Sequence, residues 1–357
     1  MPMLASLTSN FTMNHGDELF DIYHNTNYKT RMETEKIKYP VVYHPRYKLG
    51  TSWLKHLHKL DMDKSGDLFR ALQNKKLITN DNIYTPQKVS LTQLGSVHSQ
   101  DYIEKKLKDK NWLSNVFQVE AIGKVPYAIT NHLLVKPILY HAGGTILAGE
   151  LAAEKGWAIN LGGGAHHAHA NDASGFCMVA DITMSITQLR KRHKTMNNVM
   201  IIDLDAHQGN GHERDFLDDP SVYILDIFTH GKLPNGDMFY PDDTFVMDRI
   251  NLPVKLHFNT RNDEYLQKLK HALAKAKSEF NPDIIYYVAG TDILEGDPLG
   301  LQSITKSGLI ERDEIVFAFA KELSVPIVSV QAGGYQPNLG QIVADSIENL
   351  HHKFDLF

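Results

Sequence analysis

The chain has 357 residues, 42% of them hydrophobic and 22% charged, a balance that suits a folded globular protein with a sizeable core and excludes collagenous, disordered and membrane classes. Its formal net charge of -5 excludes a dedicated binder of nucleic acid, which needs a surplus of Lys and Arg to displace phosphate counterions. The single cysteine, Cys177, excludes an internal disulfide and fits a reducing compartment. The N-terminal segment has no long apolar core behind a basic start, and no stretch approaches the roughly 20 apolar residues that span a bilayer. The expectation is an intracellular, cytoplasmic protein without a membrane span, or a nuclear one if its source is eukaryotic.

Residues 1–37 are polar and aperiodic and read as an N-terminal extension; 38–357 read as one domain, because no repeat or linker-like tract divides them. From Tyr39 onward short apolar, β-branched runs appear at 157–161, 199–204, 222–227, 284–289 and 325–330. Continuous runs of this kind predict strands buried on both faces. Amphipathic periods between and after them predict helices over 145–155, 182–194, 263–279, 311–323 and 341–351. The basic run Arg190 to Lys194 then closes a helix, where cations favour the C-terminus. Alternating buried strands and helices imply right-handed crossovers and a parallel α/β sheet covered on both faces.

Such a sheet binds its ligand just beyond the carboxyl ends of its strands. The residues at those ends are Gly162-Gly163-Gly164-Ala165-His166-His167, Asp205-Ala206-His207-Gln208-Gly209-Asn210-Gly211, Gly290 to Pro298, and Ala332-Gly333-Gly334-Tyr335. Asp203, Asp205 and His207 alternate, so on a strand all three side chains leave on one side. Two carboxylates that close repel unless a cation lies beside them. Carboxylate plus imidazole suits a borderline divalent ion, most often zinc, with iron, cobalt and manganese as alternatives. Asp292 is the best-placed third ligand, although Asp297 lies five residues on. His166 and His167 are placed to move protons, and the Tyr335 hydroxyl to donate to an oxyanion.

The strings Gly156 to Asn160, Ser174 to Cys177, Asp203 to Phe216, Ala289 to Asp297 and Gly333 to Gln336 resemble the arginase/deacetylase superfamily and, within it, a class IV histone deacetylase. The resemblance runs from about Tyr39 to near the C-terminus. It implies an eight-stranded parallel sheet, one zinc ion bound by Asp205, His207 and Asp292, the histidine pair His166 and His167, and Tyr335 as the carbonyl-polarising group. It further implies that Asp203 hydrogen-bonds His166 and helps hold a structural potassium ion, and that Gly175 and Phe176 border a narrow channel for an acyl-lysine side chain of a protein or peptide.

Two positions depart from the commoner class I pattern. Asn210 stands where an Asp usually orients the second histidine, as it does in class IV, so His167 should be less basic. Ala165 stands where relatives carry Trp or Phe, which removes bulk beyond the metal and implies acceptance of acyl chains much longer than acetyl. The implied reaction is amide hydrolysis by metal-activated water, with His167 transferring protons. A two-metal ureohydrolase is set aside because Gly209 occupies the position where that chemistry needs a second Asp. Acetylpolyamine hydrolysis and an inactive acyl-lysine-binding or partner-binding module remain as alternatives. Substrate protein and oligomeric state are not legible.

Overall fold

The computed structural model describes residues 40–50 and 63–356. The expected extension, 1–37, lies outside the described residues. Eight strands form one sheet: β1 (Val41–Val42), β2 (Ile83–Tyr84), β3 (Trp157–Asn160), β4 (Val199–Asp203), β5 (Val222–Thr229), β6 (Leu252–Leu256), β7 (Ile284–Val288) and β8 (Ile327–Val330). Their order is β2-β1-β3-β8-β7-β4-β5-β6, and every pairing is parallel. The expected α/β architecture is the one observed. No helix among the described residues is long and apolar enough to cross a membrane.

The strand runs alternate between two cores, as period-2 geometry requires. Ile285 and Tyr287 join Met200, Ile202 and Ile327 on one face, packed under helices Lys64–Asn74, Asn262–Glu279, Lys306–Leu323 and Leu339–Phe354. Ile284, Tyr286 and Val288 join Ile201, Ile224 and Val328 on the other, under helices Lys136–Lys155 and Asp181–Arg192. Burial on both faces explains why these strands read as continuous apolar runs. Arg190, Lys191 and Arg192 do fall in the last turn of their helix, and Arg190 donates to the Asn197 carbonyl and to Asp219.

Differences from the sequence reading lie over 64–135, where the structure has helices such as Lys64–Asn74 and Lys110–Phe117 that the reading did not predict, and at the sheet edges. Strands β1 and β2 have two residues each, too few for a periodic signal. Strand β6 carries Pro253 and is half exposed, as an edge strand can be. The helix expected over 145–155 starts at Lys136. It runs through Gly143 and Gly144, where a Cβ on Gly144 would lie 1.8 Å from the Tyr47 hydroxyl; close packing, not a helix break, accounts for that glycine.

The order β3-β8-β7-β4 sets four strand ends side by side, and a buried ion pair braces two of them. Arg312 is 1% exposed. It pairs with Asp313 and donates to the carbonyls of Gly290 (2.5 Å) and Leu204 (3.4 Å). Asp313 in turn accepts from the Tyr287 hydroxyl and from Ser346. Arg312→Met should cost roughly 3 to 5 kcal/mol, because it leaves the Asp313 charge buried and unpaired. Chemical denaturation measures this; a loss below about 1 kcal/mol would give the pair no more weight than a surface ion pair.

Candidate active site at the strand ends

Strand β4 ends at Asp203, so the expected alternation of Asp203, Asp205 and His207 along a strand does not hold. Past the strand the chain turns on its own carboxylates: the Asp205 N–H donates to Asp203 Oδ1 (3.1 Å) and the His207 N–H to Asp205 Oδ1 (3.0 Å). The three side chains consequently divide. Asp203 turns to His166, while Asp205 and His207 turn to Asp292.

Asp205, His207 and Asp292 are buried and bring one potential ligand atom each to within 4.8 Å of one another. His207 Nδ1 lies 3.1 Å from Asp205 Oδ1 and 3.0 Å from Asp292 Oδ2. The other oxygen of each carboxylate is anchored by backbone: Asp205 Oδ2 accepts from Gly333 N (2.7 Å) and Asp292 Oδ1 from Ala206 N (2.9 Å). Burial, then the Asp205 charge, pushes Asp292 up to about 7. Asp205, against the cost of burial, is held well below the usual carboxylate range by His166 and His207. Two buried carboxylates and an imidazole so arranged suit a divalent cation with nitrogen and oxygen ligands. Asp297 does not join them; it accepts from the backbone N–H groups of Leu299, Gly300 and Tyr335.

The histidine pair stands beside this group, ring centroids 4.0 Å apart. His166 Nδ1 lies 3.0 Å from Asp203 Oδ2. Burial works against its charge, yet Asp205 and Asp203 outweigh burial and hold it at about 9. His167 Nδ1 lies 2.8 Å from Asn210 Oδ1. Burial, then the neighbouring His166 and His207, drives it well below its ordinary range. The two imidazoles are therefore pushed in opposite directions, the separation that paired acid and base groups need. Tyr335, raised by burial and then by Asp292 and Asp205, keeps its hydroxyl proton available for donation.

Aromatic rings wall the approach. Phe176 lies 5.8 Å from Tyr335, Tyr240 lies 5.4 Å from His167, and Phe239 stacks on His207 at 5.1 Å. Gly175 has φ +53°, and a Cβ there would fall 2.3 Å from His167 Cδ2, so only glycine lets this wall come so close. A cavity of about 150 Å³ runs from Phe176, Gly175 and Tyr335 past His166 to the glycine loop Gly162 to Ala165 and Tyr47.

Sequence reasoning missed several of these residues. Phe239 and Tyr240 sit in a long loop after β5 with no strand-end signature. His212 lies inside the recognised string and places Nε2 2.8 Å from Asp203 Oδ2; its five-residue offset from His207 was the available signal. Asp181, at the head of its helix, accepts from the Gly164 and Ala165 N–H groups (2.9 and 2.8 Å) and so fixes the glycine loop. Near Asp203, Glu213 and Asp226 bring two more buried carboxylates together, and burial raises both.

Comparison with known families matches residues 58–350 to the histone deacetylase domain. "Histone deacetylase 2" of Arabidopsis thaliana is 39% identical over 97% of this chain and 87% of its own. In fold, the chain is similar to a histone deacetylase homologue solved with SAHA, with TM-score 0.68, 21% identity, and 88% of this chain and 83% of that one covered. It is likewise similar to the HDA15 HD domain, with TM-score 0.70, 18% identity and coverage of 90% and 89%. With the domain matched over most of its length and a relative this similar, the chain belongs to the histone deacetylase family of amide hydrolases, in the arginase/deacetylase superfamily.

Proposed function

We propose that this protein is a zinc-dependent lysine deacylase of the class IV type, acting on acyl-lysine in proteins or peptides. The observation that carries the reading is the buried Asp205–His207–Asp292 group standing against a histidine pair of which one ring is hydrogen-bonded to the Asp203 carboxylate and the other to the Asn210 amide. Those three residues would hold the ion, with iron as the competing occupant of the same ligands. When bound, zinc supplies Lewis acidity that lowers the pKa of water and polarises a carbonyl.

The remaining steps belong to the chain's own groups. Phe176, Tyr240 and Gly175 admit an extended aliphatic side chain and keep water from its flanks. His167, neutral and hydrogen-bonded through Nδ1, takes a proton from the attacking water and later gives one to the leaving lysine amine. His166, hydrogen-bonded through Nδ1 to Asp203, stabilises the negative charge that develops, and the Tyr335 hydroxyl donates to the oxyanion. A potassium ion is proposed beside Asp203, where Glu213 and Asp226 supply further buried carboxylate oxygens. Acetylpolyamines present the same amide on a smaller amine, and a peptide-versus-polyamine assay separates that reading. A purified protein without stoichiometric metal would favour a binding module that turns nothing over.

Part of the cavity lies against Gly162 to Ala165, where Ala165 adds only a methyl group, and this supports acyl groups longer than acetyl. Tyr47 lines the same cavity and leaves this volume open. Each methylene buried there contributes up to roughly 0.8 kcal/mol.

Asp205→Ala and Asp292→Ala should each lose metal and activity together, whereas Asp297→Ala should keep its metal; full occupancy in Asp292→Ala would reassign the third ligand. Tyr335→Phe should retain metal while kcat falls on the order of 10²-fold, and an unchanged kcat would remove the hydroxyl from the reaction. On lysine peptides with acyl chains of graded length, Ala165→Trp should depress kcat/KM far more for long chains than for acetyl. Equal losses, or a wild-type optimum at acetyl, would contradict the long-chain reading.

A further inference from the structure

Asn210 leaves a question that its position alone does not answer. A side-chain amide presents a donor on one side and an acceptor on the other, and the two differ by a half-turn. If Oδ1 faces His167, the ring must carry its proton on Nδ1 and expose a lone pair at Nε2. If the NH2 faces it, the tautomer is reversed and the proton-accepting nitrogen is spent on the amide. Something has to choose.

The structure assigns that choice to Asp243, a residue of the loop after β5: we infer that Asp243 is a positioning residue that sets the tautomer of His167 through Asn210. Asn210 Nδ2 donates to Asp243 Oδ2 at 3.2 Å. An ionised carboxylate only accepts, so the amide nitrogen has to face Asp243 and Oδ1 is left to accept from His167 Nδ1, 2.8 Å away.

Asp243 is itself fixed from several sides. The Arg214 guanidinium pairs with the same carboxylate oxygen and lies over the Phe245 ring, 4.9 Å from its centroid. The Gln208 side chain clamps the Asp243 backbone, accepting from its N–H (3.0 Å) and donating to its carbonyl (3.2 Å). The Asp243 side chain is 16% exposed, so water competes weakly for the amide. Because Arg214 offsets its charge locally, what Asp243 passes to His167 is orientation more than field. The missing charge at position 210 is thus replaced by a relay of His167, Asn210, Asp243 and Arg214, in which no proton needs to leave the ring nitrogen that Asn210 holds.

The inference rests on the proton-transfer role proposed for His167, and its test separates the two. Full-length, zinc-loaded protein is compared as wild type, Asp243→Ala, Asn210→Asp and the double variant. The readouts are kcat and KM on an acyl-lysine peptide, metal content, and the His167 tautomer by ¹⁵N-histidine NMR, its signals assigned by their loss in His167→Gln. Asp243→Ala should lower kcat about 10- to 100-fold, the range seen when an outer-shell orienting partner is removed, with KM and metal content little changed and a second tautomer appearing. In Asn210→Asp the carboxylate can only accept, so His167 keeps its Nδ1–H whatever stands at 243, and removing Asp243 should change kcat within about twofold, the non-additivity expected of coupled residues. If Asp243→Ala does not fold, Asp243→Asn keeps its size, can turn either face to Asn210, and should show the mixed tautomer. Equal losses in both backgrounds, or a tautomer unchanged by loss of Asp243, would overturn the assignment. A wild-type protein that hydrolyses no acyl-lysine would sink the proposed reaction while the tautomer measurement still decides the role of Asp243.

Discussion

Asp205 and Asp292 are two carboxylates with no exposure to solvent, held within reach of one imidazole. Burying even one such charge is costly, and burying two beside each other is tolerated only where fixed donors and a cation compensate. Much of the surrounding structure supplies those donors. Gly333 and Ala206 each give a backbone N–H to one carboxylate oxygen, and both come from the turns that follow β8 and β4. The Arg312–Asp313 pair holds the carbonyls of Leu204 and Gly290, the residues just before Asp205 and two before Asp292. The sheet order then follows a functional logic: only with β8 and β7 lying between β3 and β4 do all four ends meet.

The same constraint shapes the histidine pair. His166 faces two carboxylates, which outweigh burial and push it up to about 9; His167, one residue on, is driven well below its ordinary range by burial and then by two imidazoles. Adjacent residues of the same type, both buried, are thus pushed in opposite directions by the groups they face. Asp203 contributes by accepting from His166 and His212 with one oxygen while its other oxygen holds the Asp205 N–H, so a single carboxylate ties His166 to the turn that carries the candidate metal ligands.

Much of this was legible in the sequence because chemistry and topology coincide at strand ends. The buried runs at 199–204 and 284–289 marked where to look, and the acids and histidines that followed them are the ones brought together. What stayed hidden had physical reasons. Two-residue strands β1 and β2 have no period to detect, and Pro253 disguises β6. The bend after Asp203 is made by side-chain-to-backbone hydrogen bonds, which no hydrophobic pattern encodes; a strand continued through His207 was the natural reading and was wrong. Phe239, Tyr240 and Asp243 reach the site from a loop that approaches it only in three dimensions. Asn210 was recognised as a departure, but the residue that orients its amide lies 33 positions away.

The proposed reaction depends on the Asp205–His207–Asp292 group holding a single catalytic ion. Titrating the metal-stripped, full-length protein with zinc while following hydrolysis of an acyl-lysine peptide tests it most directly. Activity should rise in proportion to added zinc and level off at one equivalent. Hydrolysis that persists in the stripped protein, or that continues to rise to a second equivalent, would contradict it.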